Sequence, residues 1–407
     1  MTHYYIGVDW ADTEHAVWAE DEAGAPVATL TVPHTAEGLS EFGRWLYECQ
    51  AQGIECWAAI ERPEGRVVDF LLDHGVVVYP VNPKALDRAR DRFRMSGTKS
   101  DPFDARVLAT FLRTDHPHLR PLRPSSAPAQ ELKLLTRDAQ RLIRQQTRLL
   151  NQLTATLKEY YPRALEVCED LTTALAQDFL TAYPSPEAVA ALARAQWRRF
   201  ARAHRLSEAR TVALWAVLQP PQLPVPRHVV RAKARLVRVL VAELRATVQG
   251  VEEYRQAVDD FFATLPVAEW ARSLPGGKSG TTVPTLWAEL GDAPDRWQSF
   301  SHVQAQAGAV PVTARSGKSH HVRFRFACNT HLRAAMHTLA FLSLRQSEWA
   351  RGYYRQYRAR GHRHHEALRA LGAKWLKIIF VMWQRQIPYD ETYHLATIAR
   401  QHLRRAA

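Results

Sequence analysis

Two acidic residues, Asp101 and Asp104, lie one helical turn apart in the stretch GTKSDPFDARVLATFL. Residues at i and i+3 share one face of a helix, so the two carboxylates can converge on a hard divalent cation. A helix start accounts for the same residues without a metal. Asp101 would be the N-cap, Pro102 the first helical residue, and Asp104 a complement to the positive helix end. Taken alone, the stretch favours capping.

Two more acids follow predicted strands upstream. Asp9 comes after HYYIGV and Glu61 after IECWAAI. The ends of strands are where sheet proteins collect catalytic carboxylates. These two residues therefore shift the balance towards a catalytic set of four acids.

Composition restricts the class of protein. The chain has 407 residues, 46% of them hydrophobic, which is enough for two or three domains with buried cores. Its 54 Lys and Arg exceed its 41 Asp and Glu by 13, which favours a polyanionic partner, nucleic acid first. The four cysteines have no C-x-x-C spacing, which argues against a zinc site or a disulfide framework. We see neither a signal peptide nor a membrane-spanning run, and expect a cytoplasmic protein with no membrane partner.

The order of predicted elements at the start of the chain indicates an α/β domain. HYYIGVDWA, EHAVWAEDEAG and PVATLTVPH read as a three-stranded meander, and strands and helices alternate after it. This is the element order of the RNase H-like fold, in which carboxylates from the first strand, the fourth strand and a later helix bind two divalent ions. Mg²⁺, or Mn²⁺ in its place, suits such a site because it keeps positions open for phosphate oxygens and water.

GVDWA, AAIERP and GTKSDPFDA resemble the signature of the DEDD transposases of the insertion-sequence one-ten family. The RuvC-like domain of that family carries an Asp, a Glu and a closing Asp-x-x-Asp. The resemblance implies that Asp9, Glu61, Asp101 and Asp104 are both catalytic residues and metal ligands.

The middle of the chain is predicted to be helical. After a Pro-rich linker, leucines recur at helical or heptad spacing from Leu132 to Leu157. The arginines between them are candidates for nucleic-acid binding, although a solvated face over an ordinary helical core explains them equally well: Arg137, Arg141, Arg144 and Arg148. A second long helix starting near His228 could pair with the first as a hairpin. The role of residues 168–226 is not readable.

Near the C-terminus, Ser316 lies among cations on a glycine-containing turn. The candidate nucleic-acid contacts around it are Arg315, Lys318, Arg323 and Arg325. Such cations can hold a phosphate and stabilise charge during its transfer. A serine hydroxyl needs a base or a metal to act as a nucleophile, and from the residues alone a turn that only touches backbone phosphates is favoured.

The resemblance to the family instead favours a catalytic serine over a turn that only touches backbone phosphates. A-G-x-x-P-x-x-x-x-S-G-K followed by N-x-x-L-R-x-A is similar to the family's transposase domain, whose serine, matching Ser316, becomes covalently joined to DNA. Ser319 remains an alternative nucleophile. The stretch HHVRFRFACN departs from the basic, glycine-containing sequence usual after that serine, which leaves the DNA contacts there open.

We expect three domains. The resemblance implies a RuvC-like catalytic domain at 1–125 and a mainly α-helical transposase domain with the serine loop at 263–407, and the helical pattern predicts a coiled-coil region with a helical insert at 126–262. The leading hypothesis is a recombinase that cuts and rejoins donor and target DNA through a phosphoserine link, assisted by Mg²⁺. The resemblance further implies a bridge RNA as guide, and a homodimer or homotetramer whose active site is shared between protomers. A structure-selective, metal-dependent nuclease that uses water, of the Holliday-junction resolvase type, is the alternative. A non-catalytic nucleic-acid scaffold is the third.

Overall fold

The computed structural model describes residues 2–93, 100–220, 224–293, 296–316 and 319–406. The chain divides into two compact units, Met1–Pro124 and Ser125–Ala407. The predicted boundary between residues 262 and 263 lies inside the second unit.

The first unit alternates strands and helices. Its elements are β1 (Thr2–Trp10), β2 (Glu14–Glu20), β3 (Pro26–Pro33), α1 (Ala36–Ala51), β4 (Ile54–Ile60), α2 (Arg66–Asp73), β5 (Val77–Pro80), α3 (Pro83–Asp91) and α4 (Asp101–Asp115).

The five strands form one mixed sheet in the order β3-β2-β1-β4-β5. β1, β2 and β3 are antiparallel neighbours, whereas β4 pairs parallel with both β1 and β5. The predicted meander followed by β-α-β connections is therefore confirmed, and so is the α/β class of this part of the chain.

The two faces of the sheet are covered by different helices because side chains alternate along each strand. Ile6 and Val8 belong to a core with residues of α1 and α2. Tyr5 and Ala59 belong to a second core, which residues of α3 and α4 complete. Tyr5, Gly7 and Asp9 are in phase, so Asp9 extends from the sheet face that carries α4.

The second unit is mainly helical, as predicted. Its elements are α5 (Ala127–Tyr160), α6 (Ala164–Val167), α7 (Ala174–Ala182), α8 (Pro186–Ala190), α9 (Arg194–Ala203), α10 (Glu208–Leu218), α11 (Arg227–Thr264), α12 (Ala268–Ala271), α13 (Thr282–Leu290), α14 (Phe300–Gln306), β6 (Val312–Ser316), β7 (Ser319–Arg323), α15 (Thr330–Gln346), α16 (Glu348–Ala359), α17 (His364–Arg385) and α18 (Glu391–Ala406).

The long helices α5 and α11 pack against each other as an antiparallel pair. Glu159 near the end of α5 forms an ion pair with Lys233 near the start of α11, and Leu142 lies beside Gly250. The predicted helical hairpin is thus present. Leu132 and Phe262, at one end of the pair, enter the core built with α13, α15 and α17.

Residues 168–226, whose role could not be read from the sequence, contribute to a core at the other end of this pair. Short helices surround the buried Trp197, whose indole N–H donates to the carbonyl of Thr211 at 2.9 Å. Leu153 of α5 and Leu240 of α11 are buried in the same cluster. This segment therefore covers one end of the helical pair.

The predicted loop around Ser316 is wrong in one respect. Ser316 is the last residue of β6, which pairs antiparallel with β7 so that Ser316 lies opposite Ser319. The two strands are short and contain few apolar residues, so the sequence carries no alternating pattern that predicts them. Within the described ranges, no helix is long and apolar enough to cross a membrane.

Candidate active site

Asp9 and Glu61 lie side by side at the edge of the first unit's sheet. Val8 pairs with Ile60 in the parallel β1–β4 ladder, so the next residue of each chain segment is one of the two acids. The carboxyl ends of neighbouring parallel strands meet at one sheet edge, which is where ligands bind in open α/β sheets. The pairing therefore brings together two acids that are 52 positions apart in the sequence.

Gly7 determines how closely α4 approaches that edge. A Cβ atom at residue 7 would lie 1.8 Å from the carbonyl oxygen of Ala105 and 2.6 Å from the backbone nitrogen of Ala109. Only glycine permits this contact between β1 and α4. The glycine of GVDWA thus has a packing role that the sequence alone did not reveal.

The far half of α4 is anchored to β2. Glu20 is buried and accepts hydrogen bonds from the Thr110 hydroxyl at 3.0 Å and from Arg113 Nε at 2.7 Å. The close contact at Gly7 and the hydrogen bonds to Glu20 together set the position of α4. The first turn of this helix carries Asp101 and Asp104. The expected N-cap is corrected by one residue: Ser100 is the N-cap, and Asp101 is already the first helical residue.

Asp104 is only 7% exposed and is paired with an arginine that sequence reasoning missed. Arg90 of α3 donates from Nε to Oδ1 and from Nη2 to Oδ2 of Asp104, both at 2.7 Å. Its Nη1 donates to Asp87 at 2.5 Å. A two-pronged guanidinium–carboxylate pair of this kind is strong and directional. The sequence feature that could have pointed to Arg90 is the set of arginines along α3.

The pKa of Asp9 is affected by the other three acids. Burial is the largest cause that raises the pKa of Asp9 to about 6, and the negative charges of Asp104, Asp101 and Glu61 raise it further. The positive charge of Arg90 acts in the opposite direction. The four predicted carboxylates therefore interact electrostatically. At Asp9 the negative charges outweigh the positive charge of Arg90.

A cleft of about 360 Å³ opens at this edge. It is lined by Asp9, Trp10, Ala11, Asp12, Glu61 and Arg62. The Arg62 guanidinium stacks over the Trp10 ring, 4.6 Å from its centroid. Arg62 and Trp10 were not predicted as site residues, although both are sequence neighbours of predicted acids.

The carboxylate oxygens of these acids are chemically suited to bind a hard divalent cation. Carboxylate oxygens are the ligands that Mg²⁺ and Mn²⁺ prefer, and the raised pKa of Asp9 marks negative charge that a cation would neutralise. The arrangement is not a closed ligand cage: among the described residues, no three His, Cys, Asp or Glu side chains are grouped to hold a metal. The Arg90 guanidinium is the cation that faces Asp104.

In the second unit, only part of the predicted serine site is described. Ser316 ends β6 and Arg315 precedes it, but their side chains and that of Ser319 lie outside the described residues, as does Lys318 altogether. Arg323 is exposed at the end of β7. Arg325 Nε donates to the carbonyl of Val310 at 3.3 Å, tying the segment after β7 to the residues before β6.

The four arginines of α5 differ in their surroundings. Arg141, Arg144 and Arg148 are exposed along the helix. Arg137 instead binds the buried carboxylate of Glu289, with Nε at 2.7 Å and Nη2 at 3.0 Å. We therefore retain a nucleic-acid role as a proposal only for the three exposed arginines.

Glu289 also explains an asparagine of the N-x-x-L-R-x-A stretch. Asn329 Nδ2 donates to Glu289 at 2.7 Å, while Asn329 Oδ1 accepts from the backbone amides of His331 and Leu332 and caps α15. Burial would raise the pKa of Glu289, but hydrogen bonds from Arg137 and Asn329 outweigh it, so the pKa lies below its ordinary value. The network joins α5, α13 and α15 in the core of this unit.

Comparison with known proteins gives matches in both units. A family model for IS110-type DEDD transposases matches residues 6–162, and a model described as "Transposase IS116/IS110/IS902 family" matches residues 269–355. The chain is 32% identical over 399 residues to the mini-circle putative transposase for IS117 of Streptomyces coelicolor, and the alignment covers 95% of each protein.

Two further relatives extend this comparison. Putative transposase y4uE of Sinorhizobium fredii is 37% identical over 50% of this chain and 57% of its own length. The insertion element IS900 uncharacterized 42 kDa protein of Mycobacterium paratuberculosis is 24% identical over 97% of this chain and 98% of its own.

The acidic sheet edge, the helical second unit and these similarities define the class of protein: it is a transposase, an enzyme that cuts and joins DNA. More narrowly, the chain belongs to the IS110 family of insertion-sequence transposases, since it matches a relative along nearly its whole length.

Proposed function

We propose that this transposase cuts and rejoins donor and target DNA through a covalent phosphoserine link at Ser316, with an RNase H-like, RuvC-type first unit supplying a metal-binding acidic set. The observation that carries the proposal is that Asp9 and Glu61 follow paired residues of β1 and β4, and that the charges of Glu61, Asp101 and Asp104 all act on Asp9. Asp9, Glu61, Asp101 and Asp104 would hold Mg²⁺ or Mn²⁺.

Bound there, a divalent cation would favour loss of the serine proton and neutralise charge on the phosphate oxygens. The Ser316 Oγ attacks phosphorus, and an Oγ–P bond forms as the bond from phosphorus to one deoxyribose oxygen breaks. The hydroxyl proton is released, and the freed deoxyribose oxygen takes up a proton. Since the phosphoester bond energy is kept in the link, a second DNA end reverses the exchange without ATP.

The basic residues near the serine would hold the DNA backbone. Arg315, Lys318, Arg323 and Arg325 are the candidates, because guanidinium and ammonium groups bind phosphate oxygens and fix the register of the duplex. Such contacts carry no sequence information by themselves.

A bridge RNA that pairs with donor and target DNA would supply the sequence specificity, leaving the protein to recognise backbone and duplex shape. The exposed Arg141, Arg144 and Arg148 on α5 and the net charge of +13 suit the binding of a polyanion, and RNA is one such partner.

We also infer a homodimer or homotetramer in which the acids of one protomer serve the serine of another. This part of the proposal comes from the resemblance to the family. A mixture of Ser316→Ala and Asp101→Asn proteins tests it: shared sites regain cleavage on mixing, whereas sites contained within one protomer stay inactive.

Denaturing-gel analysis of purified protein with Mg²⁺, labelled element-junction DNA and the RNA that co-purifies from the expressing cells tests the chemistry. We expect a DNA band shifted by attached protein that requires Mg²⁺, the RNA and Ser316. Ser316→Ala should abolish it while leaving DNA binding intact, and Ser319→Ala is the matched control. Free cleaved DNA without attached protein would instead assign a hydrolytic nuclease that uses water.

A further inference from the structure

Two phenylalanines follow the β6–β7 hairpin on the surface of the second unit. Phe324 is 37% exposed and Phe326 81% exposed. Their rings meet edge to face with centroids 5.0 Å apart. Phenylalanine is among the side chains that folding most often buries, so an almost fully exposed ring is a feature that needs an explanation.

Phe324 is held in place by cations. The guanidinium carbon of Arg333 lies 4.6 Å from its ring centroid and that of Arg369 lies 5.0 Å away. Arg333 in turn donates to the carbonyl of Arg325. The first ring is therefore clamped between α15 and α17, and Phe326 projects from this fixed support.

The stretch of sequence that contains the pair carries side-chain charge of one sign. Residues 296–347 contain no Asp or Glu, whereas the cationic residues of the same stretch are Arg296, Arg315, Lys318, Arg323, Arg325, Arg333 and Arg345. An exposed aromatic ring among arginines fits a partner that offers both phosphates and flat rings. Nucleic acid has this combination, because arginines bind its backbone and aromatic side chains stack on its bases.

We propose that Phe326 is a stacking wedge that enters the base stack of the DNA bound by the hairpin and opens one base step. Apolar side chains that insert between base steps unstack and kink a duplex, and this makes the strands more accessible. The partner is DNA because the same hairpin carries Ser316, and the inference rests on the proposed function in this respect.

The hairpin also predicts where the opened step lies. The β6–β7 register runs from Val312 opposite Arg323 to Ser316 opposite Ser319. Its five-residue strands span about 13–16 Å, and Phe326 follows β7 by three residues. With a rise of about 3.4 Å per base pair, DNA lying along the hairpin would meet Phe326 about four to seven base pairs from the scissile phosphate.

The test uses the full-length protein with its co-purified RNA, in EDTA, and element-junction duplexes that each carry one 2-aminopurine. We expect fluorescence to rise at one or two adjacent positions about four to seven base pairs from the cut. Phe326→Ala should abolish the rise and weaken binding about tenfold, while Phe326→Tyr keeps both. Phe341→Ala, at a 46% exposed phenylalanine of α15, is the control and should behave as wild type.

Salt dependence separates stacking from charge. Phe326→Ala should leave the slope of log K against log salt unchanged, whereas Arg323→Gln should reduce it by about one. An unchanged fluorescence pattern in Phe326→Ala would overturn the proposal. So would an altered oligomeric state of Phe326→Ala by light scattering, with the DNA signal intact.

Failure of the phosphoserine model is distinguishable from failure of the wedge. If Ser316 is not the nucleophile, the shifted band is missing or depends on Ser319 instead, yet the fluorescence rise and its loss in Phe326→Ala remain. The position of the opened step is then counted from the free cleaved ends.

Discussion

At the scale of single residues, the acidic site is a balance between carboxylates that repel one another and one arginine. Arg90 satisfies both oxygens of the nearly buried Asp104, while Asp9, at the cleft, keeps a raised pKa. A divalent cation at this site would act on the same charges as the guanidinium. Removing either charged partner should therefore change both stability and metal response.

Arg90→Gln should destabilise the metal-free protein, because it leaves the Asp104 carboxylate buried without its guanidinium. We expect a loss of about 1–3 kcal/mol, and a larger rise of the melting temperature on adding Mg²⁺ than in wild type. Thermal unfolding with and without Mg²⁺ measures both. Arg44→Gln, which removes a largely exposed ion pair with Glu41, is the control and should change neither quantity. Equal Mg²⁺ shifts in wild type and Arg90→Gln would contradict the idea.

Asp9→Asn should stabilise the metal-free protein at neutral pH. The pKa of Asp9 is raised from 3.8 to about 6 on folding, so between these values the folded state binds more protons than the unfolded state. Stability then falls as pH rises through that window, and the cost of the ionised carboxylate is fully present above it. After allowance for partial exposure to solvent, we expect about 1–2 kcal/mol.

Unfolding in EDTA at pH 7.5 and at pH 4 measures this effect. Asp9→Asn should unfold later than wild type at pH 7.5, and the two proteins should converge at pH 4. Asp12→Asn, at an exposed acid of the same cleft, is the control. A stabilisation that is equal at both pH values would point to packing and away from charge.

At the scale of elements, the contact between β1 and α4 builds the site. Asp9 and Glu61 come together through strand register, but the first turn of α4 reaches them only because its backbone lies against Gly7. The anchoring of α4 by Glu20 fixes the other end of the same helix. The positions of Asp101 and Asp104 relative to Asp9 and Glu61 therefore depend on this contact between α4 and β1.

Gly7→Ala should displace α4, since the new methyl group would overlap backbone atoms that cannot rotate away. We expect a loss of about 1–3 kcal/mol or more, together with a loss of cleavage activity beyond the loss of folded protein. Chemical denaturation and cleavage at matched folded fractions check this. Gly352→Ala on α16 is the control: nothing lies within 4 Å of its Cβ position, so it should be neutral or slightly stabilising. Normal activity in Gly7→Ala would contradict the packing role.

At the scale of the whole molecule, the arginines of α5 divide into one that is paired inside the fold and three that are exposed. Arg137 is taken up by the Glu289 network, whereas the arginines further along α5 remain at the surface. Only surface charges release counterions from a nucleic acid, so only these should set the salt dependence of binding.

Arg141→Gln, Arg144→Gln and Arg148→Gln combined should lower the slope of log K against log salt by about 2–3 for the co-purified RNA, with little change in stability. Filter binding at several salt concentrations measures the slope. Arg137→Gln is the contrast: it should cost about 3–5 kcal/mol of stability, because it leaves Glu289 buried without its partner. An unchanged slope in the triple variant would remove α5 from the binding surface.

The sequence predicted the elements of the first unit and the four acids at their ends, because hydrophobic periodicity and turn residues act over a few neighbouring positions. Asp9 and Glu61 were expected at strand ends, and both lie there. The hairpin that carries Ser316 was missed because its strands are short and contain few apolar residues, so no alternating pattern marks them in the sequence.

The sequence by itself thus determined which residues are acidic, which segments are strands or helices, and that the chain carries excess positive charge. Only the tertiary structure decided that Arg90 binds Asp104, that Arg137 is structural and that Gly7 receives α4. Local patterns cannot carry these facts, since each is a contact between residues distant along the chain. Such contacts exist only after packing has set the distance between their elements, and the charge and burial of each side chain follow from it.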